Sequence, residues 1–335
     1  MQVFFDCSLW GVEKGRPCDT VQTVNAGFTA GGLKRVIPVI YHFEQGIVFD
    51  ILTIIEIEAV KAYYEKYRDL EKMAGGLSDA MEQKIRQENP CQGVEIQEIS
   101  LNGGSGIQEI CKSSRWHLPG FEKAMEDQDV KELINGYPDY LEEDSCFFCE
   151  RVLVKTAESW GKKPLHAMEI KTRRQYRTET LEWESEILPG EEACLSFIHP
   201  GTQRRHQVFV YDTEAADSSA LNTEFYFFTG TAEIVPPLPE GDRLMFDSSI
   251  SYVKSRRSGK MKAGSASVIG GCSGSVAIAV CGTENQKARH GGEIQSCFSK
   301  LFQSREEARS IFYITGLEYM VREGETIPVF REERR

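Results

Sequence analysis

The residue best suited to covalent chemistry is Cys272, which lies in a run of small residues, Gly-Gly-Cys-Ser-Gly, at positions 270–274. Small neighbours let a substrate approach the sulfur and allow backbone N–H groups to stabilise an oxyanion. Such a thiol also needs a base: His290 follows it in the chain, and His42 precedes it. One hypothesis is therefore a cysteine-dependent hydrolase or transferase with Cys272 and His290 as catalytic residues.

The spacing Gly-x-Cys-x-Gly around Cys272 resembles the nucleophile elbow of the α/β-hydrolases. That resemblance implies a strand followed directly by a helix, whereas no alternation of strands and helices is evident around Cys272. The run also resembles the Gly-x-Cys-Gly-Gly loop of chymotrypsin-like cysteine proteases. In that family a histidine and an aspartate come first, as His42 and Asp50 do here, but Ser273 departs from the pattern. The structural alternative is a pair of buried strands whose small residues pack closely.

A second candidate is a cluster of five basic side chains between positions 254 and 262: Lys254, Arg256, Arg257, Lys260 and Lys262. The cluster does not match a Walker A phosphate loop, because Lys254 stands where the leading glycine would be. On a hairpin loop, these side chains predict a binding site for an anionic ligand or an acidic surface. The alternative is a solvated loop.

A third candidate is the Cys-x-x-Cys pair formed by Cys146 and Cys149, a spacing found in zinc sites and in redox dithiols. Zinc would need two more ligands, for which Cys91, Cys111 and His117 are available. Acidic neighbours at positions 142–144 and 150 are expected to raise the pKa of both thiols, which disfavours a redox dithiol. Two thiols on a strand is the simpler interpretation, and the sequence assigns neither metal ligands nor a cofactor.

Composition and charge narrow the class of protein. The 335 residues carry 39 basic and 51 acidic side chains, so the net charge of −12 disfavours a nucleic-acid-coating role. The first ten residues lack the features of a signal peptide, so we expect a cytoplasmic protein whose ten cysteines are free thiols. The most apolar stretch, residues 36–55, is interrupted by polar residues, and no membrane helix is predicted.

The first half of the chain, residues 1–160, predicts a β-unit with an acidic helical insertion at about 56–135. Residues 35–43 and 46–55 predict a hairpin of strands, and residues 56–89 predict a helical hairpin whose second helix begins at Ser78. A further strand is expected at 93–101 and a third helix at 121–134. Residues 56–150 hold 21 acidic and 10 basic side chains, so 21 − 10 = 11 of the 12 net negative charges lie there.

The second half, residues 161–335, predicts an antiparallel β-sandwich-like domain with a C-terminal helix. Polar and apolar residues alternate over 170–177 and 181–187, and we expect these runs to pair as a hairpin. Short strands separated by Pro and Gly turns follow, as is typical of a β-sandwich. The capping-box pattern at 304–307 predicts a helix from Ser304 to about Thr315.

The sequence therefore predicts a β-rich α+β protein. For its function, the sequence gives a ranked set of hypotheses. The first expectation is a non-enzymatic binding or assembly module, with a second copy or another protein as partner. The alternatives are the thiol enzyme at Cys272, and a metal-binding or nucleic-acid accessory protein.

Overall fold

The computed structural model describes residues 1–10, 17–69, 77–104, 106–120, 127–220, 223–246, 266–270, 276–280, 288–300, 302 and 304–332. Within these ranges the chain forms three helices and 17 strands, and all the strand pairs whose register is defined are antiparallel. The β-rich α+β class predicted from the sequence is thereby confirmed.

The chain divides into two compact units that each use several segments. Unit 1 consists of residues 1–71, 88–175 and 322–335, and unit 2 consists of residues 72–87 and 176–321. The division expected from the sequence, residues 1–160 and 161–335, cuts the chain only once and stays a prediction.

Unit 1 contains two sheets and two helices. The larger sheet has the order β1-β2-β3-β6-β5, formed by Thr20–Ala30, Leu33–Phe43, Gly46–Ile54, Phe147–Thr156 and Ile107–His117 respectively. The smaller sheet has the order β17-β7-β4, formed by Thr326–Arg331, Ala167–Thr172 and Ile96–Leu101. Helix α1 spans Ile57–Tyr67, and α3 spans Gln128–Gly136.

Both faces of the five-stranded sheet are covered, which explains why β3 reads as an almost continuous apolar run. On one face, side chains such as Phe49 and Val152 share an apolar cluster with Ile170 and Ile327 of the smaller sheet. On the other face, side chains of the sheet share a cluster with α3 and with residues 1–10, here called the N-terminal segment. Asp50 and Arg151 lie on this second face.

A buried ion pair joins the N-terminal segment to the sheet. Asp50 and Arg151 stand opposite each other on β3 and β6, and their side chains are fully and almost fully buried. Arg151 Nε donates to Asp50 Oδ1 at 2.8 Å and Nη2 donates to Oδ2 at 2.9 Å, while the hydroxyl of Tyr137 donates to Oδ2 at 2.7 Å. Arg151 Nη1 donates to the carbonyl of Leu9 at 3.2 Å, and its guanidinium lies 4.0 Å from the ring centroid of Trp10. A buried cation needs such partners, so these contacts fix where the N-terminal segment runs.

Unit 2 is built mainly from strands. Its four-stranded sheet has the order β15-β11-β10-β9, formed by Glu293–Phe298, Thr223–Val235, Arg205–Ala220 and Ala193–Ile198. Its three-stranded sheet has the order β12-β16-β8, formed by Arg243–Phe246, Ile311–Arg322 and Gln175–Glu186. The remaining elements are helix α2 (Asp79–Glu88) and the strand pair β13 (Ala266–Gly270) and β14 (Val276–Val280).

Side chains of both larger sheets of unit 2 fill one apolar cluster. Val208 and Ile234 come from the four-stranded sheet, and Leu244, Phe312 and Leu317 come from the three-stranded sheet. Shared burial of this kind is the main source of stability in a β-rich domain.

Several elements lie where the sequence predicts them. The hairpin of β2 and β3 is confirmed, and helices are present at 57–67, 79–88 and 128–136. Ser78 caps α2 as expected, because its Oγ accepts a hydrogen bond from the N–H of Met81 at 3.3 Å. The helical-hairpin arrangement of α1 and α2 stays a prediction.

The predicted hairpin of residues 170–177 with 181–187 is wrong. β8 runs without interruption from Gln175 to Glu186 and pairs with β16, whereas β7 pairs with β4 and β17. The linker Thr-Glu-Thr at 178–180 contains no glycine, proline or asparagine, and residues that favour extended backbone carry the strand through the expected turn.

The predicted C-terminal helix from Ser304 to Thr315 is also wrong. Ser304 does accept a hydrogen bond from the N–H of Glu307 at 3.3 Å, but the result is a turn, and β16 begins at Ile311. The run Ile-Phe-Tyr-Ile-Thr at 311–315 is rich in β-branched and aromatic residues, whose packing in the sheet outweighs the local cap.

A bilayer-spanning helix would need greater length and apolar character than any helix has in the part of the chain that the structure describes.

Replacing Asp50 with Asn is expected to destabilise unit 1 by about 3–5 kcal/mol, because the guanidinium of Arg151 then stays buried without a carboxylate. Urea unfolding measures the change. Glu98→Gln is the control, since Glu98 is an exposed partner of Lys171 at 4.0 Å, and its loss should cost less than about 1 kcal/mol. Equal effects of the two substitutions would show that the buried pair does not anchor the fold.

Candidate metal centre

The residues of two sequence hypotheses lie mainly outside the described ranges. These are Cys272 and the whole basic cluster, Lys254, Arg256, Arg257, Lys260 and Lys262. The strands on either side of Cys272 are described: β13 pairs antiparallel with β14, and Gly270 stands opposite Val276. A strand followed by an antiparallel strand differs from the strand and helix that the α/β-hydrolase elbow implies.

His290, the predicted base, is held within unit 2 by three contacts. Its ring stacks on Phe209 with centroids 3.8 Å apart, and its Nε2 lies 3.0 Å from Glu192 Oε2. Its backbone N–H donates to Glu233 Oε1 at 2.8 Å. These contacts give His290 a role in fixing the loop that precedes β15, and its use as a base for Cys272 stays a prediction.

The carboxylate of Glu233, on β11, binds the backbone of that loop. It accepts hydrogen bonds from the hydroxyl of Tyr211 at 2.6 Å and from the N–H groups of Arg289, His290 and Gly292 at 2.7, 2.8 and 2.7 Å. Burial alone would raise the pKa of Glu233, but the hydrogen bonds from Tyr211 and the three N–H groups outweigh it and lower the pKa to about 2. Glu233 is therefore an ionised structural anchor.

The protease-like combination of His42 and Asp50 is not formed. His42 stands opposite Ile47, which is three positions from Asp50 on β3, so the two side chains lie on opposite faces of the sheet. His42 Nε2 lies 3.0 Å from Gln22 Oε1, and burial lowers the pKa of its imidazole. Asp50 is committed to Arg151 and Tyr137.

The Cys-x-x-Cys pair does not form a chelating pair either. Cys149 lies in the apolar cluster beneath the N-terminal segment, whereas Cys146 packs with Ile55 and Leu118 in a separate cluster that Cys91 adjoins. Burial raises the pKa of Cys149 well above its usual value, and burial together with Cys146 raises the pKa of Cys91 to about 11. These thiols are structural apolar residues.

A different set of side chains does converge, and we call it the thiol–carboxylate cluster: Cys7, Glu109 and Cys111. The Sγ atoms of Cys7 and Cys111 are 2.9 Å apart, and Cys111 Sγ is 3.6 Å from Glu109 Oε1. A metal site needs at least three potential ligand atoms close together. Among the residues the structure describes, this cluster is the only group of His, Cys, Asp or Glu side chains in which three such atoms all lie within 4.8 Å of one another.

Two of the three side chains are placed by strand β5 alone. Glu109 and Cys111 are two positions apart on this edge strand, so both point to the same face of the sheet. That face is the one covered by the N-terminal segment, because Cys111 packs against the same cluster as Leu9 and Trp10.

Cys7 is brought to the cluster by the path of the N-terminal segment along β5. Trp10 is held between two cations, with Arg151 Cζ 4.0 Å and Arg115 Cζ 5.1 Å from its ring. Arg115 lies four positions beyond Cys111 on the same face of β5, and Trp10 lies three positions beyond Cys7. Residues 6–10 form a turn in which the N–H of Leu9 donates to the carbonyl of Asp6 at 3.0 Å, so Cys7 stays close to Trp10, and the contact of Trp10 with Arg115 keeps Cys7 at this face of β5.

The cluster lies at the surface and has an asymmetric electrostatic setting. Cys7 and Glu109 are exposed and Cys111 is half-buried. Lys155 Nζ lies 4.0 Å from Glu109 Oε2, while Oε1 faces Cys111. The hydrogen bond with Cys7, followed by burial and the charge of Glu109, raises the pKa of Cys111 to about 12. Thiolate sulfur and carboxylate oxygen are each ligands that zinc accepts.

The sequence contains a partial signal for this cluster. Cys111 is among the thiols considered as zinc ligands, but strand β5, which places Glu109 on the same face as Cys111, is not predicted from the sequence. Cys7 has no local signal, because its position depends on contacts of Trp10 with side chains more than 100 residues away.

No family model matches this chain, and no match is found among curated proteins or among solved structures.

Replacing Glu233 with Gln is expected to lower the stability of unit 2 at pH 7 by about 2 kcal/mol, because the hydroxyl of Tyr211 and the three backbone N–H donors lose a charged acceptor. The folded pKa of Glu233 is about 2 and its ordinary value is 4.5, so its contribution is complete above pH 4.5 and is lost as the pH falls towards 2.

Thermal unfolding at pH 7 and pH 3 measures this effect. The variant should lose less stability between the two pH values than the wild type does. Glu214→Gln, a change at an exposed carboxylate on β10, should leave the pH dependence unchanged. If Glu233→Gln unfolds with the same pH dependence as the wild type, the four hydrogen bonds do not stabilise the ionised form.

Proposed function

We propose that this protein binds one zinc ion at the thiol–carboxylate cluster, with Cys7, Glu109 and Cys111 as ligands. The observation that carries the proposal is the convergence of two thiols and a carboxylate from chain positions about 100 residues apart. Thiolate sulfur and carboxylate oxygen are both established zinc ligands, and thiolate ligands disfavour the hard cations Mg²⁺ and Ca²⁺.

Binding requires a small rearrangement at Cys7. A tetrahedral ion with Zn–S bonds of about 2.3 Å holds two sulfurs about 3.8 Å apart, which is wider than the present 2.9 Å. Cys111 is held in a paired strand, whereas Cys7 lies in an exposed turn in which the N–H of Ser8 donates to Asp6 Oδ1 at 2.8 Å. The turn can open by this amount without disturbing the sheet.

The ion would fasten the N-terminal segment to β5. Because the ligands meet only in the folded chain, zinc binding stabilises the folded state of unit 1 by mass action. The role is structural in the first instance, since the ion adds a link between two chain segments that also meet through apolar packing and the contact of Trp10 with Arg115.

Three protein ligands leave a fourth coordination position on the zinc ion. This position gives the expected binding or assembly module a place at which a partner can attach. Water fills that position in a monomer, and a side chain of a second copy or another protein would fill it in an assembly.

We also propose that the second half of the chain has the sandwich-like packing expected from its sequence. It is supported by the apolar cluster that both larger sheets of unit 2 share. A cytoplasmic location fits the proposed zinc binding, because thiolate ligands must stay reduced.

The thiol-enzyme alternative at Cys272 stays a prediction with its own test. Brief iodoacetamide labelling followed by mass spectrometry should show Cys272 reacting faster than the other nine thiols if it is a catalytic nucleophile. Labelling of Cys272 at the same rate as the others would remove that alternative.

Zinc binding is tested by titrating the reduced, metal-free protein against a chromophoric zinc chelator. We expect one zinc ion per chain, and a loss of affinity of at least about 100-fold in Cys7→Ser and in Cys111→Ser, since each variant removes a ligand. Cys194→Ser is the matched control, because Cys194 is an exposed free thiol in unit 2.

Either of two results would contradict the proposal. The first is a reduced wild-type protein that takes up no zinc in competition with the chelator. The second is a Cys194→Ser variant that loses zinc to the same extent as Cys111→Ser.

A further inference from the structure

We infer that Cys7 and Cys111 form a redox modification site, at which a low-molecular-weight disulfide such as oxidised glutathione converts the two thiols into a disulfide and displaces the metal ion. The release of metal rests on the proposed function, whereas the formation of the disulfide does not.

The separation of the two sulfurs carries this inference. Disulfide bonding requires Sγ atoms about 2.05 Å apart, so the present 2.9 Å needs to shrink by less than 1 Å. Zinc binding needs the same pair to open to about 3.8 Å. The two thiols are thus adjacent, and each bound state needs a movement of only about 1 Å at the exposed turn of Cys7.

Among the thiols that the structure describes, Cys7 and Cys111 stand apart because their sulfurs are in contact at the surface, whereas Cys18 and Cys91 are half-buried as Cys111 is but have no such sulfur contact. Cys149 and Cys297 are fully buried, and Cys146 is buried as well. Cys194 is exposed, but its sulfur contacts Gln207 and its own strand, and no other thiol of the described residues lies beside it. A glutathione disulfide can therefore react at Cys194, yet among the described thiols a second thiol that would expel the glutathione is in place only at the Cys7–Cys111 pair.

The chemistry proceeds by two exchange steps. The thiolate of Cys7, the more exposed partner, attacks one sulfur of oxidised glutathione, which forms a mixed disulfide and releases one glutathione thiolate. The thiolate of Cys111 then attacks Cys7 Sγ, which forms the Cys7–Cys111 bond and releases the second glutathione thiolate. The protein pair loses two electrons, oxidised glutathione gains them, and the two protons of the original thiols end on the two glutathione molecules. When zinc is bound, the ion leaves because both sulfurs have ceased to be thiolates, and the two protons come from water.

The modification has a structural consequence for unit 1. A bond between Cys7 and Cys111 ties the N-terminal segment covalently to β5, in addition to the contacts of Leu9 and Trp10 with Arg151. The closed loop spans more than 100 residues, and cross-linking a long loop lowers the entropy of the unfolded chain. The oxidised protein should therefore unfold at a higher temperature than the reduced, metal-free protein.

The experiment starts from reduced, metal-free full-length protein treated with oxidised glutathione, quenched by alkylation and mapped by peptide mass spectrometry. We expect a Cys7–Cys111 disulfide as the main internal cross-link, with glutathione retained at Cys194. The Cys111→Ser variant should accumulate glutathione on Cys7, because the resolving thiol is gone. The Cys194→Ser variant should form the cross-link at the wild-type rate. If Cys7 and Cys111 are modified no faster than Cys194 and no cross-link between them forms, the inference is wrong.

A second arm uses zinc-loaded protein and a zinc-sensitive dye. Oxidation should release one zinc ion for each Cys7–Cys111 bond formed, and a phosphine reductant should restore binding. A protein that forms the disulfide but never binds zinc would overturn the proposed function and leave the modification site intact. A protein that binds zinc but forms no Cys7–Cys111 bond would overturn the modification site alone.

Discussion

The buried guanidinium of Arg151 sets the constraint on which the candidate site depends. A cation removed from water must have its charge and its N–H donors satisfied, and Asp50 on the neighbouring strand satisfies only part of this need. The carbonyl of Leu9 and the ring of Trp10 complete it, so the N-terminal segment has to cross this face of the sheet. Cys7 reaches β5 as a consequence, and a site whose ligands are distant in sequence is assembled by the same contacts that stabilise the core.

This dependence explains why the site lies at an edge of the sheet. Among the described strands β5 pairs with β6 alone, so residues on its covered face are reached by the N-terminal segment and yet remain near solvent. Glu109 and Cys111 are therefore accessible to an ion or to a small disulfide. Cys149 lies on the neighbouring strand under the same segment and is fully buried. Thiols of the same chain thus differ in chemistry because of their depth below the surface.

Local sequence patterns predict much of the fold, but they predict only part of the candidate site. The apolar run of β3 and the helical spacing of α1 predict their elements because each pattern is local. The expected helix after Ser304 fails because a cap contributes less than the burial of a β-branched and aromatic strand, and the hairpin expected before Glu186 fails because alternation does not specify a partner. Cys111 is foreseeable as a ligand because it is a cysteine, whereas Glu109 joins it only through strand β5, which is not predicted from the sequence. The position of Cys7 is not foreseeable, since the path of its segment depends on contacts of Leu9 and Trp10 with side chains more than 100 residues away, above all Arg151.

The most direct measurement of the central claim is X-ray absorption at the zinc edge on the zinc-loaded, reduced protein. We expect two sulfur ligands at about 2.3 Å and two oxygen or nitrogen ligands at about 2.0–2.2 Å, from Cys7, Cys111, Glu109 and one further ligand such as water. A coordination shell without sulfur, or one with four sulfurs, would contradict it.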